Sequence, residues 1–244
     1  MSENCEAKRR SRFTAAEQQQ LLTRTLPDYL RSNLDIVIIG INPGLVAAQT
    51  GHHYAGPGNH FWKCLYLSGI VPYPFTAFDD YKMLDYGIGF TNMVSRTTRG
   101  SGDLKAAEIR EGASIVRQKL SLFRPKIAVF NGKGIYETFA GRKCATLGKQ
   151  PETIEATETL VFVMPSSSAR CAQLPRFEDK LPFYIAIRKL RDFVTGRVAF
   201  VDTRELTFAP CGNAKAKRRS NAKDGESGER NRDEEMSVKT ERSD

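Results

Sequence analysis

The chain has 244 residues, of which 40% are apolar, and carries a formal net charge of +9. That balance suits one globular domain with polar ends, and no apolar run approaches the ~20 residues of a membrane span. Excess positive charge points to a polyanionic partner, and the five scattered cysteines (Cys5, Cys64, Cys144, Cys171, Cys211), with no zinc or redox spacing, read as reduced thiols in an intracellular compartment.

The opening stretch is basic, with Lys8, Arg9, Arg10 and Arg12 close together. It reads either as a solvated end or as an arm that contacts DNA or serves nuclear import. A short helix is predicted from Thr14, and Leu26–Leu34 leads into a first strand, Asp35–Ile39. The strand feeds directly into Gly40-Ile-Asn-Pro-Gly-Leu-Val-Ala-Ala-Gln-Thr-Gly-His-His-Tyr-Ala-Gly-Pro-Gly-Asn-His-Phe-Trp62. Five glycines, two prolines and all three histidines (His52, His53 and His60) lie in this stretch. An ordinary connection runs about 2–6 residues and needs no histidines. A strand, a glycine-rich loop with clustered polar groups, and then a helix is where an open α/β sheet places its ligand.

A helix is predicted over Phe61–Gly69, then a proline-rich turn, then a second strand, Tyr86–Val94. Asp103–Phe123 has helical periodicity, with Leu104, Ile109, Ile115, Val116 and Leu120 as its apolar stripe, and Pro125 stops it. Ile127–Phe130 is a third strand, followed by a helix near 134–140, and Thr159–Met164 is a fourth strand. Residues 141–158 read as a polar excursion. Pro165–Arg176 reads as a loop and Lys180–Thr195 as a last helix, with Phe183, Tyr184, Ile187 and Leu190 on one face. Alternating strands and helices imply a parallel sheet covered on both faces. The expected organisation is a basic disordered arm (1–19), a globular domain (20–196), a partly ordered extension (197–211) and a disordered charged tail (212–244) that has no aromatic residue.

Four blocks carry a family resemblance. They are Gly40–Gly44 with Gly51–Trp62, Tyr86-Gly-Ile-Gly-Phe-Thr-Asn-Met-Val94, Ile127-Ala-Val-Phe-Asn-Gly-Lys133, and Met164-Pro-Ser-Ser-Ser-Ala-Arg-Cys-Ala-Gln173. In this order they closely resemble the thymine-DNA glycosylase family, within the uracil-DNA glycosylase superfamily, over roughly residues 20–195. The resemblance implies a three-layer α/β/α sandwich around a small central parallel sheet. It also implies a monofunctional DNA glycosylase of base excision repair that removes thymine or uracil mispaired with guanine, and 5-formyl- or 5-carboxylcytosine. Duplex DNA with G·T or G·U mismatches is then the partner, no metal or other cofactor is needed, and a nuclear monomer that hands its product to abasic-site repair enzymes is expected. Two other readings stay open: a mismatch-specific uracil glycosylase with little thymine activity, and a non-catalytic DNA-binding or coregulator scaffold. Retention of Asn42 and His53 weighs against the scaffold.

The chemistry needs a base taken out of the stack, a stabilised leaving group and a water aimed at a sugar carbon with oxocarbenium character. Asn42, just past the first strand, can accept from a water and donate elsewhere, and the resemblance gives it that role. An amide is not a base at neutral pH, so turnover should be slow and depend on the leaving group. By resemblance, His53 lies beside the reacting base. Ile41 and Tyr54 make backbone contacts to it, Ala47 lies near its 5-position, Asn92 reads its edge, and Thr98 faces the same pocket. Ser166, Ser167 and Ser168 are small donors suited to phosphates, and Lys133 is a further phosphate candidate. Arg170 fills the hole left by the flipped nucleotide, with Ala169, Gln173 and Pro175 at the orphaned guanine. Arg99 departs from the family, which usually has proline there. Val238-Lys-Thr-Glu241 has the pattern of a SUMO acceptor centred on Lys239. A SUMO-binding strand near Val201–Phe208 is disfavoured by Asp202 and Arg204.

Overall fold

Runs of consecutive apolar residues make strands buried on both faces, and each such run here enters one sheet. The computed structural model describes residues 12–209. Its strands are β1 (Ile36–Gly40), β2 (Ile88–Asn92), β3 (Ile127–Asn131), β4 (Leu147–Thr153), β5 (Leu160–Met164) and β6 (Thr207–Phe208), ordered β2-β1-β3-β5-β4-β6. The strands expected from sequence, β1, β2, β3 and β5, are mutually parallel. Two antiparallel strands added beyond β5 make the whole sheet mixed.

The helices are α1 (Ala15–Leu21), α2 (Leu45–Thr50), α3 (Phe61–Leu67), α4 (Ala106–Phe123), α5 (Lys133–Ala140) and α6 (Leu181–Val194). Strand register sets Ile38, Phe90, Val129 and Phe162 side by side on one face, and Ile39, Thr91, Phe130 and Val163 on the other. Phe90 meets Phe61 and Trp62 of α3 at 5.7 and 5.9 Å between ring centroids, and Phe61 meets Tyr184 of α6 at 6.0 Å. Across the sheet, Phe130 meets Tyr136 and Phe139 of α5 at 5.6 and 4.8 Å. On that same face Lys119 of α4 donates to Thr91 Oγ1 at 3.2 Å. Helices therefore cover both faces, as a three-layer sandwich requires. Fully burying each such aromatic side chain is worth about 1.5–3 kcal/mol.

Two sequence expectations shift. Ile115, placed on the apolar stripe of α4, is exposed, and the buried face runs through Gly112, Ala113, Val116 and Leu120. The helix crosses the end of β2 so closely that a side chain at Gly112 would overlap the Met93 carbonyl. The polar excursion contains β4. Gln150 satisfies its own buried amide on the Thr146 and Gly148 carbonyls at 3.0 Å, and the register slips between Lys149 and Thr153 around Pro151. The extension closes on β4 through β6, and Phe208 packs on Phe183 at 4.1 Å.

Order also begins ahead of residue 20. Thr14 and Glu17 form a reciprocal capping box on α1, and Phe13 and Leu21 pack against Ala48 of α2 with Leu45 and Val46. The basic cluster at Lys8–Arg10, the tail from residue 212 and Lys239 lie outside the described residues.

Candidate active site

The site lies at the carboxyl ends of the parallel strands, where an open α/β sheet binds ligands. The chains leaving β1 and β2 stay laced together beyond the sheet: Met93 N–H donates to Gly40 O, Val94 N–H to Ile41 O and Thr98 N–H to Pro43 O, at 2.9, 2.9 and 3.1 Å. This places Asn42 against Arg96–Thr98. Asn42 Nδ2 donates to Thr98 Oγ1 at 2.8 Å and approaches the carbonyl oxygens of Arg96 and Pro43 at 2.9 and 3.1 Å. Carbonyl oxygens only accept, so these contacts fix which end of the amide is nitrogen. Oδ1 is left as the acceptor Asn42 can offer to the cleft it lines. Thr98 is 1% exposed, and its hydroxyl donates to Gly100 O at 2.9 Å while accepting from Asn42. It lines the cleft and holds Asn42 there.

The cleft encloses about 880 Å³. Ile41, Ala47, Tyr54 and Asn92 all line it. At its floor a side chain on Gly40 would displace Asn92 Oδ1 and crowd the Tyr54 hydroxyl, so glycine leaves room for both groups there. Tyr54 has φ +57°, a left-handed backbone rare outside glycine. Its ring stacks on Phe61 at 4.1 Å, which holds that backbone conformation in place. Its hydroxyl is buried without a hydrogen-bond partner, and burial raises its pKa.

His53 is 2% exposed and stacks on Phe90 at 5.3 Å. Nε2 lies 2.8 Å from Pro27 O, an acceptor only, so Nε2 carries the proton and the neutral ring keeps Nδ1 as an acceptor. Burial lowers its pKa against weaker opposing pulls from the Pro27 carbonyl, Asp80 and Asp28. The histidine is thus held neutral. Its backbone N–H donates to Asp80 Oδ2 at 2.8 Å, while Asp80 Oδ1 pairs with His52 Nδ1 at 2.9 Å.

The opposite wall is the loop after β5. Ser167 is buried: its hydroxyl accepts from Asn131 Nδ2 and its N–H donates to Asn131 Oδ1, both at 2.9 Å. That serine anchors the loop to the end of β3 and also lines the cleft. Ser166 and Ser168 are half-buried cleft residues, and Ser168 Oγ accepts from Arg170 N–H at 3.2 Å. Ala169 N–H donates to Gly58 O and His60 N–H to Ser167 O, at 2.9 and 3.0 Å, so the loops at 56–60 and 166–171 form one rim. Beneath the rim the ammonium of Lys180 is 1% exposed, with Ser168 O, Ser167 O and His60 Nδ1 at 2.7, 3.2 and 3.3 Å. Burial lowers the Lys180 pKa. Arg170 is exposed at the rim beside Ala169. Gln173, Pro175 and Lys133 are exposed but do not line the cleft, and Lys133 lies 3.9 Å from Glu137.

Arg99 and Arg170 are the only charged side chains lining the cleft among the described residues, and no carboxylate does so. No helix among those residues is long and apolar enough to cross a membrane.

The pattern of the Uracil DNA glycosylase superfamily matches residues 27–189, well over half of the chain. The chain belongs to that superfamily. A G/U mismatch-specific uracil DNA glycosylase of Schizosaccharomyces pombe is 35% identical over 166 residues, which is 64% of this chain and 50% of that protein. The chain therefore spans about half the length of the curated relative it matches. A Methanosarcina acetivorans protein solved by NMR in solution is 20% identical with a TM-score of 0.43, over 67% of this chain and 97% of that one. The matched range contains both walls of the cleft, from Asn42 to Arg170. Within this superfamily member, sequence reasoning missed Asp80, Asn131 and Lys180 as organisers of the site. Their partners lie 27, 36 and 12 residues away, beyond any local pattern.

Proposed function

We propose that this chain is a monofunctional DNA glycosylase that hydrolyses the N-glycosidic bond of uracil or thymine mispaired with guanine. The observation that carries this reading is the Asn42 amide, whose nitrogen is held by Thr98 and two carbonyls, which leaves Oδ1 as its acceptor in a cleft large enough to admit an extruded nucleotide. With the base extruded into the cleft, Oδ1 accepts a hydrogen bond from water and directs its oxygen at C1′ of the sugar. The C1′–N bond breaks, the electron pair leaves with the base, and the water oxygen bonds C1′ as its proton passes to solvent. With no carboxylate lining the cleft among the described residues, the water is not deprotonated in advance. The rate then follows how well the base carries negative charge. His53, whose pKa burial lowers, adds no positive charge to the cleft it lines, so the departing base must carry its own charge.

The relative's name supports uracil opposite guanine, and the small side chain of Ala47 in the cleft wall leaves space for the methyl of thymine. Arg170, exposed on the anchored rim, fills the vacated stack. Excision of oxidised cytosines, nuclear location, SUMO attachment at Lys239 and hand-over to abasic-site repair enzymes belong to the same reading and rest on the family resemblance alone.

The test is single-turnover base release from G·U, G·T, A·U and G·C duplexes. Release from G·U and more slowly from G·T, with G·C untouched, is expected. Mismatch binding without release from any duplex would replace the enzyme with a DNA-binding scaffold, and release of uracil without thymine would narrow it to a uracil glycosylase.

A further inference from the structure

The cleft carries one more cation than the steps above use. Arg99 is exposed on the wall formed by residues 98–102. Arg96, three residues earlier, is committed: Nε and Nη2 bind the two carboxylate oxygens of Glu108 at 2.8 and 3.0 Å, and Nη2 reaches Asp103 O at 3.2 Å. Arg99 has no such partner among the described residues. Its backbone is nevertheless held, because Thr98 is fixed to Pro43, Asn42 and Gly100. The side chain thus combines an anchored base with a free guanidinium.

Its place in the sheet says what it meets. Arg99 follows β2 and Arg170 follows β5, with β1 and β3 between them. Three inter-strand spacings separate the two walls by roughly 14 Å. No carboxylate lines the cleft between them among the described residues. Arg99 adjoins Thr98, and Thr98 holds Asn42, the residue assigned above to the sugar carbon. An anion beside Arg99 is therefore on the sugar–phosphate chain of the extruded nucleotide, whereas Arg170 addresses the vacated stack. A guanidinium fork matches a phosphate in a way a neutral side chain cannot.

We propose that Arg99 binds a phosphodiester flanking the extruded nucleotide, on the strand that is cut from its base, and so holds the sugar against Asn42. This rests on the proposed function for the identity of the strand. As a phosphate contact it carries no sequence preference.

The experiment measures binding to matched and G·U duplexes across a salt series for wild type, Arg99→Gln, Arg99→Lys and Arg124→Gln. Arg124 is an exposed arginine ahead of β3, at the opposite end of the strands from the cleft. Arg99→Gln is expected to weaken the G·U duplex by roughly three- to tenfold and the matched duplex less, and to flatten the log–log salt slope on G·U by ~0.9. Arg99→Lys should keep the slope and lose only part of the affinity, and Arg124→Gln should match wild type. An unchanged slope in Arg99→Gln, or an equal fall in Arg124→Gln, overturns the contact. Because the slope is read from binding alone, wild-type protein that releases no uracil would sink the glycosylase reading while leaving Arg99 to stand or fall on its slope.

Discussion

The ammonium of Lys180 lies 2.7 Å from the carbonyl oxygen of Ser168, inside the protein and directly beneath the rim that carries Arg170. A buried cation is costly to desolvate, and replacing one with an apolar group of similar shape is often neutral. Here the loop carbonyls would keep other donors: Ser167 O accepts from His60 N–H and Ser168 O from Cys171 N–H, both at 3.0 Å. Lys180→Met is therefore expected to change unfolding free energy by no more than about 1–2 kcal/mol, with the lost bonds and relieved desolvation offsetting. Its effect should fall on the rim. Release of thymine from G·T, where extrusion is harder, should slow by roughly tenfold and more than release of uracil from G·U, since small misplacement of a positioning group is costly. Denaturant melts and single-turnover rates check this, and equal losses on both substrates would show that Lys180 serves stability alone.

Asn42→Ala removes the group that aims the water. The chemical step on G·U should fall by roughly 10²–10⁴, the range for losing a positioned proton-handling group, with mismatch binding kept within about tenfold. Thr98→Val removes the hydroxyl that orients the amide, a bond worth about 1 kcal/mol, so a smaller fall of about fivefold is expected. Single-turnover rates within twofold of wild type for Asn42→Ala would remove Asn42 from the mechanism.

His53 sets a pH dependence of stability. Burial lowers its folded pKa below the ordinary histidine value of 6.5, so the unfolded chain binds more protons in the interval beneath that value. The stability it contributes is fully present above about pH 6.5 and declines as pH falls toward its folded pKa, at no more than about 1.4 kcal/mol per pH unit. Chemical denaturation between pH 8 and pH 5 should show His53→Gln losing part of the wild-type slope. His60, also lowered by burial and by the nearby Lys180 and Lys63 charges, leaves a residual slope in that variant. Superimposable pH profiles would mean that His53 titrates normally.

Arg170→Ala should slow thymine release from G·T more than uracil release from G·U, because filling the vacated stack matters most when the base resists extrusion. Its backbone is tied through Ser168 Oγ and its neighbour Ala169 through Gly58 O, so the truncation should leave the rim intact. Matched losses on the two duplexes, measured at saturating enzyme, would count against the plug.

The parallel strands and their helices were legible because a buried strand is a local apolar run and an amphipathic helix a local period. The strand β4 was not, because Gly148, Pro151 and its charged residues conceal any alternation, and it pairs only because β5 offers an edge. Ile115 was misplaced because four-residue spacing identifies a stripe without saying which flank of it meets the sheet. Only packing at Gly112 against Met93 decides that.

For the site, sequence by itself determined which chemistry-bearing groups exist and that they cluster at the ends of strands: Asn42 behind β1, Asn92 closing β2 and the serine loop behind β5. Their identities follow from block order along the chain and do not depend on distance in space. Tertiary structure alone decided what each group is free to do. Thr98 and Arg96, more than fifty residues from Asn42, take up its amide nitrogen and leave the oxygen as the free acceptor. Pro27 holds the His53 proton at Nε2, Asn131 anchors Ser167 to the end of β3, and Lys180 binds two loops together. Each is a hydrogen bond between residues far apart in the chain. Such bonds form only after the sheet has fixed the distance between its strand ends, and residue type and spacing carry no record of them.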